Sequence, residues 1–254
     1  MEQEVALVTG AGGGIGRAIC LEIAAIGVPI AVVDISEELG TETARAVIAC
    51  GGRATFFRAD VSSSADAMAY VRDTESNLGP ITMFANNAGV EGVIARIDAY
   101  PDDVFDRVMQ VNVRGVFLGL KHVLKGMIER KRGAIVNIAS TSAIRGRAGL
   151  AGYVAAKHAV LGLTRVAALD VAGTRVRVNA VLPGPIETRM IHALDDMAKH
   201  ANTENKETPV ILRAGSATYG EPEDVAKVVR FLLSDEANHV NGAAWIVDAG
   251  STVS

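Results

Sequence analysis

The sequence predicts a single doubly wound α/β domain, one seven-stranded parallel sheet flanked by helices on both faces. Three observations carry that expectation. Seven short runs, near-continuously apolar or β-branched, recur along the 254 residues, as parallel strands covered on both faces require. Amphipathic segments separate them, so β-then-α units repeat with right-handed crossovers. The chain is 49% hydrophobic and carries no Pro/Gly/Ser-rich linker, internal repeat or charge block, which fits one domain over 1–254 with a large buried core.

The first strand, Val5–Thr9, follows the acidic start Met1-Glu2-Gln3-Glu4 and is too short to be the apolar part of a signal peptide. A glycine-rich turn then opens a helix over Ile15–Ile26. Pro29 stands where the second strand, Ile30–Asp34, begins, a position that tolerates proline's missing N–H. Ser36 is a candidate cap for the helix Glu37–Ala49. Ala54–Asp60 and Ser64–Asn77 form the third unit, and Ile81–Ala85 is the fourth strand. One long helix is expected over Asp102–Lys131. The densest basic stretch, Lys121 to Arg132, ends at Gly133 and reads as cations at that helix's C-terminus followed by a glycine stop. The strand Ala134–Ser140, the helix Leu150–Ala172, the strand Arg177–Leu182, the helix Pro222–Leu233 and the strand Ala243–Val247 complete the series.

Composition excludes several function classes. The net charge is −4 and basic residues are scattered, unlike the electrostatic footprint of a nucleic-acid binder. No segment approaches the roughly 20 apolar residues of a membrane span. Cys20 and Cys50 form neither a disulfide framework nor a metal pattern, so two reduced thiols in a cytoplasmic protein are expected. His122, His158, His192, His200 and His239 show no metal spacing, and no metal site is expected.

The turn Thr9-Gly10-Ala11-Gly12-Gly13-Gly14-Ile15-Gly16 follows a strand and opens a helix. Backbone amides there face a pyrophosphate at the positive end of the helix dipole. The spacing Gly10, Gly14, Gly16 does not satisfy GxGxxG, and no GxxxxGK frame exists, which removes a nucleotide triphosphatase. Asp34 ends the second strand eighteen residues after Gly16, near the spacing at which an acid reaches adenosine ribose hydroxyls. A carboxylate there repels a 2′-phosphate, and no Lys or Arg occurs from Asp34 to Ala44 to offset it. NAD is therefore favoured over NADP, with Arg17 the one counterweight. A purely structural reading makes Asp34 a helix cap, a task Ser36 serves equally well.

Tyr153 and Lys157 are four residues apart and share one helix face. A free tyrosine has a pKa of about 10, and a neighbouring ammonium stabilises the phenolate, so the pair suggests proton transfer at an oxygen. Ser140 lies thirteen residues upstream of Tyr153. Lys157 interrupts the apolar stripe Leu150, Tyr153, Val154, Leu161, Ala168, so it either snorkels to solvent or meets a polar cavity. Asn112 likewise interrupts Phe105, Val108, Met109, Val116, Leu120. Burying an unpaired amide costs about 1–3 kcal/mol, so Asn112 has a dedicated partner, either backbone carbonyls or a functional group.

In this order the motifs resemble the short-chain dehydrogenase/reductase family, over nearly the whole chain. Thr9 to Gly16 matches TGxxxGxG, including Ile15. Asp60-Val61 matches the acidic-apolar pair that meets the adenine, and Asn86-Asn87-Ala88-Gly89 matches NNAG. Asn112, Ser140 and the YxxxK of Tyr153 to Lys157 match the catalytic set. Pro183-Gly184 matches the PG after the sixth strand, followed by Ile186 and Thr188, which in the family contact the nicotinamide carboxamide. The residue before the serine, often serine in the family, is Ala139. The resemblance implies a Rossmann-like fold and an NAD-dependent alcohol dehydrogenase or ketone reductase. Tyr153 is then the general acid/base, Ser140 binds the reacting oxygen, Lys157 holds the ribose and lowers the Tyr153 pKa, and Asn112 anchors a proton-relay water. The alternative is an NADPH-dependent carbonyl or 3-oxoacyl thioester reductase, and a more distant one a non-catalytic nucleotide-sensing regulator.

In such a family the substrate meets Val90 and Glu91, Thr141 to Ile144, and the segment from Ile186 to about Gly220. That last segment is long for a connection, and Met190, Ile191 and Leu194 recur at helical spacing. It reads as a mobile lid at about 186–220 with a short amphipathic helix, a fixed flap or oligomer contact being the alternatives. The mostly apolar lining favours a neutral or weakly polar alcohol or ketone. Arg145 and Arg147 are read as solvated loop residues, with anion binding the competing role. The small residues Gly152, Ala155, Ala156, Ala159 and Gly162 offer a face for close helix approach. By the resemblance, this implies a homotetramer, with a dimer as fallback.

Overall fold

The computed structural model describes residues 4–204 and 219–253. Seven parallel strands form one sheet: β1 (Ala6–Thr9), β2 (Ile30–Asp34), β3 (Ala54–Arg58), β4 (Met83–Asn86), β5 (Gly133–Ile138), β6 (Val176–Pro183) and β7 (Ala244–Val247), in the order β3-β2-β1-β4-β5-β6-β7. The order reverses between β1 and β4, the switch point at which open α/β sheets bind ligands beyond their carboxyl ends. The helices are α1 (Gly14–Ala24), α2 (Glu37–Ala49), α3 (Ser64–Asn77), α4 (Asp102–Met109), α5 (Gly115–Arg130), α6 (Ala151–Asp170), α7 (Arg189–Glu204) and α8 (Pro222–Leu233). The architecture is Rossmann-like, as the sequence predicts.

Successive strand residues feed opposite cores. Leu7, Val33, Phe84 and Ile135 pack against α3, α5 and α6, while Ala6, Val8, Val32, Ala85 and Val136 pack against α1, α2 and α8. Two buried faces explain why these strands are apolar at consecutive positions. Local chemistry sets the helix starts. Ser36 accepts the Leu39 N–H at 3.3 Å and Ser63 accepts the Asp66 N–H at 3.3 Å. Glu221 and Asp224 form a reciprocal capping box around Pro222.

Three expectations are corrected. The helix expected over Asp102–Lys131 is two helices joined by a π-helical turn, Gln110–Arg114, which carries Asn112. Such turns insert one residue and re-aim side chains, often at functional sites. The second helix stops at Lys131, which itself takes the left-handed conformation (φ 53°) in place of a glycine. The five small residues of α6 do not share one face. Gly152 and Ala156 are buried inside the chain, whereas Ala155 and Gly162 are exposed. The amphipathic helix expected in the 186–220 segment is α7, sixteen residues long, and positions 205–218 of that segment lie outside the described residues. Among the described residues, no helix is long and apolar enough to cross a membrane.

Candidate active site

The carboxyl ends of β1, β4, β5 and β6 open onto one cleft. Ile15, Asn87, Gly89, Ser140, Tyr153, Lys157, Pro183, Gly184, Ile186 and Thr188 all line it. The remaining predicted positions surround it or extend along the sheet edge toward β2 and β3.

The glycine turn is shaped by its neighbours. Gly10 has φ +61°, and a Cβ there would lie 2.7 Å from the Ala88 Cα. At Gly16 a Cβ would fall 2.1 Å from the Gly10 carbonyl oxygen, so α1 can start this close to β1 only with glycine. Asn87 stitches the turn to β4, its amide nitrogen donating to the Thr9 and Gly10 carbonyls, each at 3.0 Å. Its backbone N–H and that of Ala88 reach the Thr9 hydroxyl at 3.0 and 3.3 Å. Gly13, exposed and with no atom within 4 Å of a built Cβ, leaves open space at the helix N-terminus. Gly14 faces Thr188, whose methyl would sit 3.0 Å from a Cβ at Gly14. Gly184 abuts Asp248, 2.8 Å from a built Cβ, and donates its N–H to the Val247 carbonyl at 2.8 Å.

Asp34 is not the helix cap. Its Oδ2 accepts the Gly12 N–H at 2.8 Å and its Oδ1 the Ser36 N–H at 2.9 Å, so it ties the glycine turn to the end of β2. Each oxygen keeps a lone pair for another donor. Arg17 is committed to Glu42, with N and O 2.6 Å apart at the surface. Sequence reasoning missed Arg58. Strand register sets it directly beside Asp34, and its Nε donates to the Ile35 carbonyl at 3.3 Å. Only the β2–β3 pairing could have revealed it. Asp60 lies just past β3, its Oδ1 taking the Ser62 N–H at 2.9 Å and hydroxyl at 2.7 Å. Val61 is buried against Gly115.

Ser140 follows β5, and its Oγ accepts the Ser142 N–H at 3.1 Å. Its side chain also favours ionisation of Tyr153. Lys157 is buried rather than snorkelling. Its Nζ donates to the Ile138 carbonyl at 2.9 Å and lies 5.5 Å from the Tyr153 ring centre. Burial lowers the Lys157 pKa to about 8. Burial also pushes Tyr153 above the usual phenol range. The Ser140 side chain and the Arg147 charge pull it back, and the Glu91 charge adds to the rise. Desolvation dominates at Tyr153, and the lowering expected from Lys157 is not among the effects acting on it in this structure.

Asn112 spends its side chain on one residue. Oδ1 accepts the Val90 N–H and Nδ2 donates to the Val90 carbonyl, both at 2.8 Å. The π-helical turn thus pins the segment beyond Gly89. A buried polar chain that sequence reasoning overlooked ties the same elements together. Asn86 donates to Asn137 at 3.1 Å, and Asn137 to Thr164 on α6 at 2.9 Å. Polar residues inside two strands were its only signal.

Arg147 also lines the cleft, contrary to its expected place in solvent. Its Nε donates to the Ser142 hydroxyl at 3.1 Å and its Nη2 to that of Thr141 at 3.4 Å. Arg145 reaches the Ser251 carbonyl at 2.9 Å. Glu91 is held by both terminal nitrogens of Arg189 at 3.2 and 3.4 Å, joining the Val90 segment to the first turn of α7.

Comparison with known proteins agrees with this geometry. Residues 4–199 match the family model described as short chain dehydrogenase. The chain is 40% identical to levodione reductase from Leifsonia aquatica, covering 98% of this chain and 94% of that one. It is 36% identical to cyclohexanol dehydrogenase from Acinetobacter sp. (strain SE19), covering 98% and 95%. Among solved structures, an actinorhodin polyketide ketoreductase with NADPH superposes with a TM-score of 0.90 at 34% identity, over 98% of this chain and 97% of that one. The chain belongs to the short-chain dehydrogenase family of oxidoreductases.

Proposed function

We propose that the chain is a single catalytic domain that interconverts a secondary alcohol and a ketone with NAD, using Tyr153 as general acid/base. The observation that carries this reading is the convergence of Ser140, Tyr153 and Lys157 in one cleft beside an open glycine cradle. The cofactor, when bound, takes or returns the hydride. Tyr153 removes the hydroxyl proton in oxidation and returns it in reduction. Ser140 hydrogen-bonds the reacting oxygen, and Lys157 holds ribose hydroxyls while keeping positive charge near the phenolate. Asn112 fixes the Val90 segment, so any relay water uses what its Val90 bonds leave free. Gly10, Gly14, Ile15 and Gly16 cradle the pyrophosphate, and Asp34 takes the adenosine ribose. Asp60 and Val61 meet the adenine, Asn87, Ala88 and Gly89 flank the dinucleotide, and Pro183, Gly184, Ile186 and Thr188 hold the nicotinamide end.

Asp34 supports NAD, and Arg17's pairing with Glu42 removes one rival cation. Arg58 favours the second reading, an NADPH-dependent reductase, because it stands beside Asp34. Two free cysteines, one buried and one exposed, suit a reducing cytoplasm. We take the assembly to be a homotetramer and the 186–220 segment to be a lid. The test follows reduced-nicotinamide absorbance with cyclohexanol and related secondary alcohols, NAD and NADP side by side. NAD-dependent turnover is expected, lost in Tyr153→Phe with NAD affinity nearly kept, and lost together with NAD affinity in Lys157→Ala. Asp34→Ala should relax discrimination against NADP. Near-normal kcat in Tyr153→Phe would remove the assigned base, and a wild type preferring NADP would reverse the cofactor.

A further inference from the structure

The substrate wall of the cleft is apolar at Leu150, Met190, Ile191 and Leu194, yet Arg147 stands in it. This guanidinium is partly desolvated, and burial together with the nearby Arg145 charge lowers its pKa. A desolvated charge is normally paired. Arg147 has no carboxylate within ion-pair reach among the described residues, and its own bonds go to two neutral hydroxyls. The acid whose charge reaches Tyr153, Glu91, is already gripped by Arg189. The Nε bond to Ser142 is well formed, whereas the Nη2 bond to Thr141 is long and Nη1 makes none among the described residues. The Nη1–Nη2 edge is therefore the edge left for a ligand, and it has the fork geometry that matches an oxyanion. The molecule as a whole is acidic, so this cation runs against its net charge.

We propose that Arg147 is a substrate-binding residue, and that the alcohol or ketone taken by this cleft carries an oxyanion of the carboxylate or sulfonate class away from its reacting carbon. The inference rests on the hydride-transfer reading above and narrows its substrate class. Arg147 also acts on Tyr153, so its removal changes rates on every substrate, and the informative quantity is a ratio. The kcat/KM for 3-oxocyclohexanecarboxylate is divided by that for the matching carboxamide, in wild type, Arg147→Gln and Arg147→Lys. The expected ratio is about tenfold or more in wild type, the scale of a charge-assisted hydrogen bond. It should approach one in Arg147→Gln and keep an intermediate value in Arg147→Lys. An equal ratio in wild type and Arg147→Gln overturns the proposal and leaves Arg147 a brace for Thr141 and Ser142. Calorimetric binding of the unreactive cyclohexanecarboxylate and cyclohexanecarboxamide separates the two readings. If neither ketone turns over but the carboxylate binds in an Arg147-dependent way, the anion site stands and the redox reading falls. Equal binding of acid and amide to wild type overturns the anion site.

Discussion

The Tyr153 proton answers to a small set of charges, and their signs dictate a pH dependence. Burial and Glu91 hold the proton on, while Ser140 and Arg147 favour its release. On the proposed mechanism, oxidation of the alcohol needs the phenolate, so its kcat/KM should climb as pH rises. Reduction needs the phenol together with cationic Lys157. It should be level at low pH and fall as Lys157 loses its proton near pH 8. Profiles measured in both directions check this, and a reduction limb far from that pH would detach it from Lys157. The glycines give a second residue-scale test. Gly16→Ala meets the Gly10 carbonyl and should lower stability by about 1–3 kcal/mol through overpacking. Gly13→Ala meets no protein atom, so its melting temperature should hold while NAD affinity drops. Equal melting losses would refute the different packing of the two positions. Lys157 and Asn112 were legible in sequence because polar groups broke apolar stripes, and Tyr153 because it stands one helical turn before Lys157. Arg147 and Arg58 were not, since loop closure and strand register bring them to their places.

At the scale of elements, the sequence carries most of the fold in its caps and alternations. Ser36, Ser63 and Pro222 start their helices as written, and α2, α3 and α8 have the predicted bounds. The π-helical turn was hidden because the apolar stripe continues past it, and only the side-chain fit of Asn112 to Val90 explains it. The first turn of α7 makes a further prediction. Arg189 neutralises Glu91, which is 8% exposed and raises the Tyr153 pKa. Arg189→Ala leaves that carboxylate uncompensated, so the oxidation profile should move to higher pH. Glu91→Gln removes the charge, and the profile should move lower. The double variant Glu91→Gln, Arg189→Ala should follow Glu91→Gln, because the cation then has nothing to neutralise. Shifts of the same sign in both single variants would show that the pair acts only by holding α7 in place.

At the scale of the molecule, two of the surfaces that expose apolar side chains among the described residues lie on α5 and α6 and on β7, and in the proposed assembly each should be covered by another copy. On α6 the positions Ala155, Ala159, Gly162, Val166 and Leu169 fall on one stripe, with Val166 and Leu169 57% and 74% exposed. Phe117 and Ile128 on α5 are exposed as well. Gly162 has no atom within 4 Å of a built Cβ, so a second helix can approach closely there. The other surface is the edge strand β7, where Trp245 and Ile246 are 37% and 45% exposed, with the Trp245 ring resting on Phe231. Unpaired strand edges and contiguous apolar patches are both unfavourable in water. Two separate surfaces on one chain build a tetramer by pairing dimers. Light scattering of the wild type should therefore give a tetramer. Ala159→Trp should overpack the α6 contact, and Ile246→Glu should charge the β7 contact. Both should yield smaller particles, but their activities should differ. In the proposed tetramer the α6 contact would stiffen the helix that carries Tyr153 and Lys157, so Ala159→Trp should lose activity in step with assembly. Ile246→Glu dimers keep that contact and should stay active. An active wild-type monomer at assay concentration would overturn the arrangement, and equal activity in the two variants would uncouple the helix pairing from catalysis.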